Sequence, residues 1–479
     1  MPAPLESRSK PRASLLSLNS KRRYFICFVV IIIAGLAFRI GFVASYEFNG
    51  FHQYGTHCLG KDNYPGCNRF FRHEVKTGIG GDALYYHDQA HLLLEGKMFV
   101  LPSAYYETGA IKPSASHPPL YTVTLAVEDV LGLKTVDDQR IAGCFLGELS
   151  VLLLAVAAGR IAGRRASIVA AIIGSAYPGM WIFDGTDMSE IVSILVISFL
   201  IAETYRFIRH PSRKGAIWLG IIIAFASYAR SELILLDVLV PIPIAFYLYR
   251  NKLLYDTTKK AVGLVAITIA SSLITLGPWI GFNLSRFSKP EFLSTQLGMT
   301  LAVSNCNEVY SGQFIGFWDL PNCLENRPVT KSVGPPPKKG DESVLDSYWR
   351  TVGLHYIRDH ISQLPKVILA REGRVFWLFN PGQQENLNAF VEQWNPSADV
   401  AFRWSFYVLA IASIFGGVVI KRKYRLPISP LIGPVLVVVV AVFVTYGTTR
   451  FQSAAEPTIV ILSSIAISRG FDLKSINKT

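Results

Sequence analysis

The sequence predicts an all-α polytopic membrane protein, and three observations predict it. Hydrophobic residues make up 51% of the chain. Apolar runs recur at roughly the 20-residue length that a hydrocarbon core of about 30 Å demands of a spanning helix. Charged residues are held to 17%, where a soluble domain carries about 25%. The net charge of +13 would point to nucleic acid in a soluble protein. Here the basic residues cluster in short loops between apolar runs, where they set orientation. A membrane partner is expected, and no nucleic acid.

Residues 1–23 read as a basic cytoplasmic tail. The first apolar run, Tyr24 to Tyr46, is too long for a signal-peptide core and reads as an uncleaved anchor. Further spans are expected at 140–160, 166–183, 187–206, 215–229, 231–249, 260–282, 401–420, 426–446 and 451–469. Lys21-Arg22-Arg23, Arg160 with Arg164 and Arg165, Arg206 to Lys214, Arg250 to Lys260 and Lys421-Arg422-Lys423 then share one side. By the positive-inside rule that side is the cytoplasm. The organisation is therefore an N-terminal membrane module, 24–283, carrying a catalytic outer loop at 47–138. A second outer loop, 284–400, precedes C-terminal helices at 401–469 and a cytoplasmic tail at 470–479. The expected location is the inner (plasma) membrane, with the site on the extracytoplasmic side. Leu120 to Leu133 is apolar but short and carries Glu128 and Asp129. It reads as a juxtamembrane helix, with an eleventh span as the alternative.

Cys58 and Cys67 lie in the first outer loop, Cys306 and Cys323 in the second. Two pairs confined to outer loops fit disulfides in an oxidising compartment, with free thiols as the alternative.

The chemistry-bearing residues cluster on that outer face. Asp82, Tyr86, Ala90 and Leu93 fall on one side of a helix that starts after Gly80-Gly81, with Asp82 in the first turn. Alone, that is an ordinary acidic cap. His117-Pro118-Pro119 opens the short apolar helix and offers a proton carrier or phosphate ligand. Asp184, Asp187 and Glu190 crowd one membrane boundary, where carboxylates are costly unless solvated, paired or used. Glu190 enters the apolar stretch furthest. Arg230 and Arg450 stand at outer boundaries where arginine is uncommon. Arg371 and Arg374 follow an amphipathic stretch, Tyr356 to Leu369, expected to lie flat on the outer surface. Arginine forks suit phosphate oxygens, and a carboxylate suits removal of a hydroxyl proton. No glycine-rich nucleotide loop is present, so an outer-face phosphate ligand is expected to be attached to lipid.

Taken in order along nearly the whole chain, these residues resemble the GT-C superfamily of polyprenyl-phosphate-sugar-dependent glycosyltransferases, nearest in pattern to protein O-mannosyltransferases and lipid A aminoarabinose transferases. The matching positions are Asp82, Tyr86, Ala90, Leu93 and Gly96; His117 to Leu120; the Thr186–Glu190 region; Arg230; Pro278, Trp279 and Asn283 with Gly298 to Asn305; and Arg450-Phe451 with Pro457. Phe282 and Thr449 depart from the pattern, which often has arginine and glutamate there. No large soluble domain of the oligosaccharyltransferase kind is expected.

The resemblance implies a GT-C bundle of about ten or eleven spanning helices and an inverting transfer to an acceptor hydroxyl of a lipid, glycan or protein. Asp82 would be the general base. His117, Tyr86 and either Asp187 or Glu190 would support the base or the acceptor. Arg230, Arg371, Arg374 and Arg450 would be the candidates for holding the donor phosphate. No cofactor is called for, and a divalent cation stays open. The rival reading is a transporter or flippase of lipid-linked sugars. A metal-dependent hydrolase would have to use His87 and His91 with Asp88 between them, with no third ligand in view.

Overall fold

A computed structural model describes residues 13–46, 79–252, 257–325 and 333–476. Among them there is no β-strand beyond one isolated bridge, Val100 to Pro113. Fourteen helices carry the argument. They are α1 (Ala13–Tyr46), α2 (Gly81–Leu92), α3 (Leu120–Val130), α4 (Val136–Ala162), α5 (Arg164–Ala176), α6 (Glu190–Arg209) and α7 (Arg213–Ala229), followed by α8 (Pro241–Arg250), α9 (Thr257–Arg286), α10 (Glu342–Asp359), α11 (Leu364–Val375), α12 (Pro396–Val419), α13 (Ser429–Val444) and α14 (Glu456–Ile476).

Among the described residues, seven segments are long and apolar enough to cross a membrane: Lys21–Tyr46, Val136–Ala162, Glu190–Arg209, Ser231–Arg250, Thr258–Arg286, Pro396–Tyr424 and Thr449–Arg469. Three expected spans are shorter. The run at 166–183 stops at Ala176 and restarts for one turn at Pro178, because proline disfavours helix in the residue before it. The other two are α7, with 17 residues, and α13, with 16. The 11-residue α3 covers only about 16 Å, half a hydrocarbon core. The flat helix expected over 356–369 is two helices, broken at 360–363, with Pro365 in the first turn of the second.

The main core runs through α4, α5, α6, α7, α12 and α14, with Leu154, Met180, Ile197, Ile223, Phe402 and Val460 fully buried. Small residues set the closest approaches, as helix packing in lipid favours. A Cβ on Gly220 of α7 would strike Thr268 and Ser271 of α9, and one on Gly416 of α12 would strike Leu462 of α14. Cys306 and Cys323 form a disulfide; Cys58 and Cys67 lie outside the described residues. Cys144 is a buried free thiol and Cys27 an exposed one.

Candidate active site

The site is assembled at helix ends. Asp82 sits in the first turn of α2, preceded by Gly80 in extended backbone and Gly81 at φ +58. Glu190 opens α6, Arg230 closes α7, and Arg450 starts the short turn that leads into α14. His117 reaches the same point from the loop before α3. Charges are costly in the apolar middle of such helices, and helix termini are where these meet.

The contacts form a chain. His117 Nε2 lies 3.3 Å from Asp82 Oδ1. Arg450 Nη2 donates to Asp82 Oδ2 at 3.1 Å, and its Nε donates to Glu190 Oε1. Arg230 Nη1 donates to that same Glu190 oxygen, and its Nε donates to Glu232 at 2.6 Å. Glu392 Oε2 lies 3.8 Å from Arg450 Nη1. The Arg230 guanidinium also stands over the Phe451 ring, 5.0 Å from its centre. Its Nη2 makes no hydrogen bond among the described residues. Every nitrogen of Arg450 faces a carboxylate.

Tyr86 packs its ring against the His117 ring at 4.7 Å, and it lines the cavity beside Ser189. This fixes the imidazole over α2 one turn from Asp82. Burial pushes the Asp82 carboxyl up, but His117 and Arg450 outweigh it and hold the group well below the usual carboxylate range. Asp82 is therefore ionised at any physiological pH. Burial pushes Glu392 up to about 7, against the pull of Arg450.

These groups line, or stand just behind, a cavity of about 520 Å³. Asp82, Tyr86, His117, Ser189, Arg230, Glu232, Tyr446 and Arg450 form part of its wall. Leu235, Phe292, Leu297, Val440 and Val444 form an apolar part. Phe292, Leu297, Val440 and Val444 are also between 43% and 57% exposed, so this wall opens to the outside of the protein.

Four of the residues singled out in the sequence take other places. Asp187 pairs with Arg140 at 3.1 Å, and Asp184 with Arg39 at 2.7 Å; of the three neighbouring carboxylates, Glu190 is the one in the cluster. Arg371 donates to Ser304 O at 2.7 Å, Asn305 Oδ1 at 3.0 Å and Phe443 O at 3.3 Å. Arg374 donates to Ile315 O at 2.7 Å and Gln383 at 2.6 Å. Both arginines are buried and neither lines the cavity. Glu392 and Tyr446 also stand at the cluster and carry no signal in the sequence. Glu232 carried a signal, an acidic residue two positions from Arg230 at the same boundary.

His87 and His91 lie 3.1 Å apart, and His91 bonds to Asp129 at 2.7 Å. Among the described residues no group of three or more His, Cys, Asp or Glu side chains is placed to hold a metal ion.

No protein-family model matches the sequence, and no curated protein matches it. Solved structures do. The oligosaccharyltransferase AglB of the archaeon Archaeoglobus fulgidus, in complex with an inhibitory peptide and a dolichol-phosphate, superposes with a TM-score of 0.53 at 14% identity. The match covers 96% of this chain and 51% of that one. The same enzyme in complex with Zn and sulfate gives 0.52 at 13% identity, over 93% and 50%. The chain shares the fold of the matched part of that oligosaccharyltransferase. The chain spans about half the length of the oligosaccharyltransferase it matches. ArnT from Cupriavidus metallidurans, bound to undecaprenyl phosphate, superposes with a TM-score of 0.35 at 14% identity, over 82% and 74%. At 13–14% identity the likeness to the oligosaccharyltransferase shows the fold alone.

Proposed function

We propose that this chain is an inverting membrane glycosyltransferase that moves a sugar from a polyprenyl-phosphate donor to an acceptor hydroxyl on the outer face. One observation carries the reading. Asp82, His117, Glu190, Arg230 and Arg450, drawn from distant parts of the chain, meet at or just behind one cavity, part of whose wall is apolar and open to the outside. A polar head and a long apolar tail on one ligand suit such a cavity.

In this reading Asp82 accepts the acceptor's hydroxyl proton as that oxygen forms its bond to the anomeric carbon. The bond from that carbon to the phosphate oxygen breaks, and its electron pair leaves with the polyprenyl phosphate. The leaving group is already a stable anion, so charge stabilisation serves it better than a general acid. Arg230, with Nη2 uncommitted, is the phosphate-facing cation. Arg450 is saturated by carboxylates and holds Asp82 and Glu190 in place. One displacement inverts the sugar carbon. The apolar wall at Leu297, Val440 and Val444 receives the first prenyl units.

Purified protein incubated with radiolabelled undecaprenyl-phosphate sugars and a membrane-lipid extract should yield a new labelled product. Asp82→Asn should lower that yield about 100-fold or more while the chain stays folded and inserted in the membrane. An active Asp82→Asn protein sinks the assignment of the base. Transbilayer movement of intact donor without bond cleavage would instead identify a transporter.

A further inference from the structure

The cavity wall contains a carboxylate that the mechanism above does not use. Glu291 lines the cavity and is 4% exposed. It makes no hydrogen bond among the described residues; the nearest cationic nitrogen, Arg350 Nη2, is 3.6 Å away. Burial pushes its carboxyl up to about 7, the charge of Asp346 adds to that, and Arg350 only partly offsets it. A buried carboxylate without a donor is costly unless a ligand supplies one.

The surroundings hold this group rigidly. Ser294 Oγ and Ser231 Oγ bond at 3.0 Å, and Thr295 N donates to Ala115 O at 2.8 Å. Trp279 Nε1 donates to Leu293 O at 2.9 Å. The strand of chain carrying Glu291 is thus tied to the residue after Arg230 and to the loop that presents His117. Arg350, also in the cavity wall, is anchored by Asp346 at 2.6 Å. Its Nε is buried and unpaired among the described residues.

The geometry points to a saccharide subsite, in which Glu291 accepts from and Arg350 donates to neighbouring hydroxyls of the donor's sugar ring. The charge pattern selects that chemistry. Glu291 and Asp346 repel an anion, and Arg350 repels a cation. A neutral diol offers both a donor and an acceptor to a carboxylate beside a guanidinium. Gln296 and Thr300 line the same wall and add hydrogen-bonding groups suited to a polyol. The position agrees as well, because the sugar must sit next to the phosphate and Ser231 follows Arg230. This inference rests on the glycosyltransferase reading, and it makes Glu291 and Arg350 specificity-determining residues.

The test compares binding of undecaprenyl phosphate with binding of the same lipid carrying glucose, mannose or arabinose, by native mass spectrometry of the purified full chain. Wild-type protein should bind at least one glycosylated lipid about 10-fold more tightly than the bare lipid, the scale of a hydrogen bond to a charged group. Glu291→Gln and Arg350→Ala should each remove that advantage and leave affinity for the bare lipid unchanged. The glutamine variant is isosteric, so it keeps the comparison valid if Arg350→Ala fails to fold. A sugar advantage intact in Glu291→Gln, or absent from the wild type, overturns the subsite and leaves the transferase reading standing. Wild-type protein that binds none of the four lipids overturns both.

Discussion

Glu190 accepts from both Arg230 and Arg450 through one oxygen, Oε1, while Oε2 is buried and unpaired among the described residues. It is the shared anion that lets two guanidinium groups stand side by side. Removing one member of such a buried arrangement costs about 3 kcal/mol or more, because its partners keep their charge without compensation. Glu190→Gln should therefore lower the melting temperature more than Asp82→Asn does, because the Glu190 side chain is fully buried and the Asp82 side chain is 31% exposed, while both lower activity. Calorimetry beside a transfer assay separates the two roles, and an unaltered melting temperature for Glu190→Gln would remove the structural half of this account. Glu392 supplies the pH dependence. Its carboxyl titrates near 7 in the fold against an ordinary 4.5, so between those values the folded state holds the proton more tightly than the unfolded chain. Stability then falls as pH rises through that window and levels off above about 7. Glu392→Gln should raise stability at pH 8 by on the order of 2 kcal/mol and change it little at pH 4.5. Thermal melts at both pH values check the sign.

Between residue and molecule, the element that matters most is α10. Glu342 at its start accepts from Ala115 N at 2.7 Å, from Ser114 Oγ at 3.0 Å and from Ser116 Oγ. One carboxylate from the second long loop thus clamps the turn that presents His117 in the first. Asp346 and Arg350 follow on the same helical face, and Gly298 packs so closely on Asp346 that a Cβ would strike its carbonyl. Glu342→Ala should release the 114–116 turn and lower turnover about 10-fold, with Glu342→Gln recovering part of it and both variants folded. Equal loss in the two variants would deny Glu342 a positioning role. This element also shows where the sequence was legible. Glu190, Arg230 and Arg450 stood out because each is a charge at the end of an apolar run, which hydropathy alone reveals, and Asp82 because it opens an amphipathic helix in the outer loop. Glu291, Glu342 and Glu392 lie in the long hydrophilic stretch, where a carboxylate is unremarkable until the loop folds back on the helices. For Arg371 and Arg374 the sequence conceals the partners instead. A cation beside an amphipathic segment looks free until carbonyls from 304, 315 and 443 close on it. The break at 360–363 was readable in Leu364-Pro365, but the amphipathic pattern on either side concealed it.

At the scale of the molecule, the site and the basic clusters lie at opposite ends of the same helices. Helix α6 runs from Glu190 in the site to Arg206 and Arg209, and α7 runs back from Arg213 and Lys214 to Arg230 in the site. The α12 segment leads from Pro396, just after Glu392, to Lys421, Arg422 and Lys423; α13 returns to the cavity at Val440 and Val444; and α14 leaves from the Arg450 turn. Arg160 at the far end of α4 meets Glu203 near the far end of α6 at 3.1 Å. At the start of α5, Arg164 stands over the Tyr24 ring of α1, next to Lys21, Arg22 and Arg23. One end of the bundle is therefore basic and the other holds the site, so the positive-inside rule that orients the first orients the second. Single cysteines introduced at Ser212 and Lys423, in a background with the natural cysteines replaced, should react with a membrane-impermeant maleimide only after the membrane is opened. Single cysteines at Gln313 and His360 should react in intact cells or right-side-out vesicles. The reverse pattern would put the cavity in the cytoplasm, where a donor phosphate on the outer leaflet cannot reach Arg230, and would remove the outer-face transfer with it.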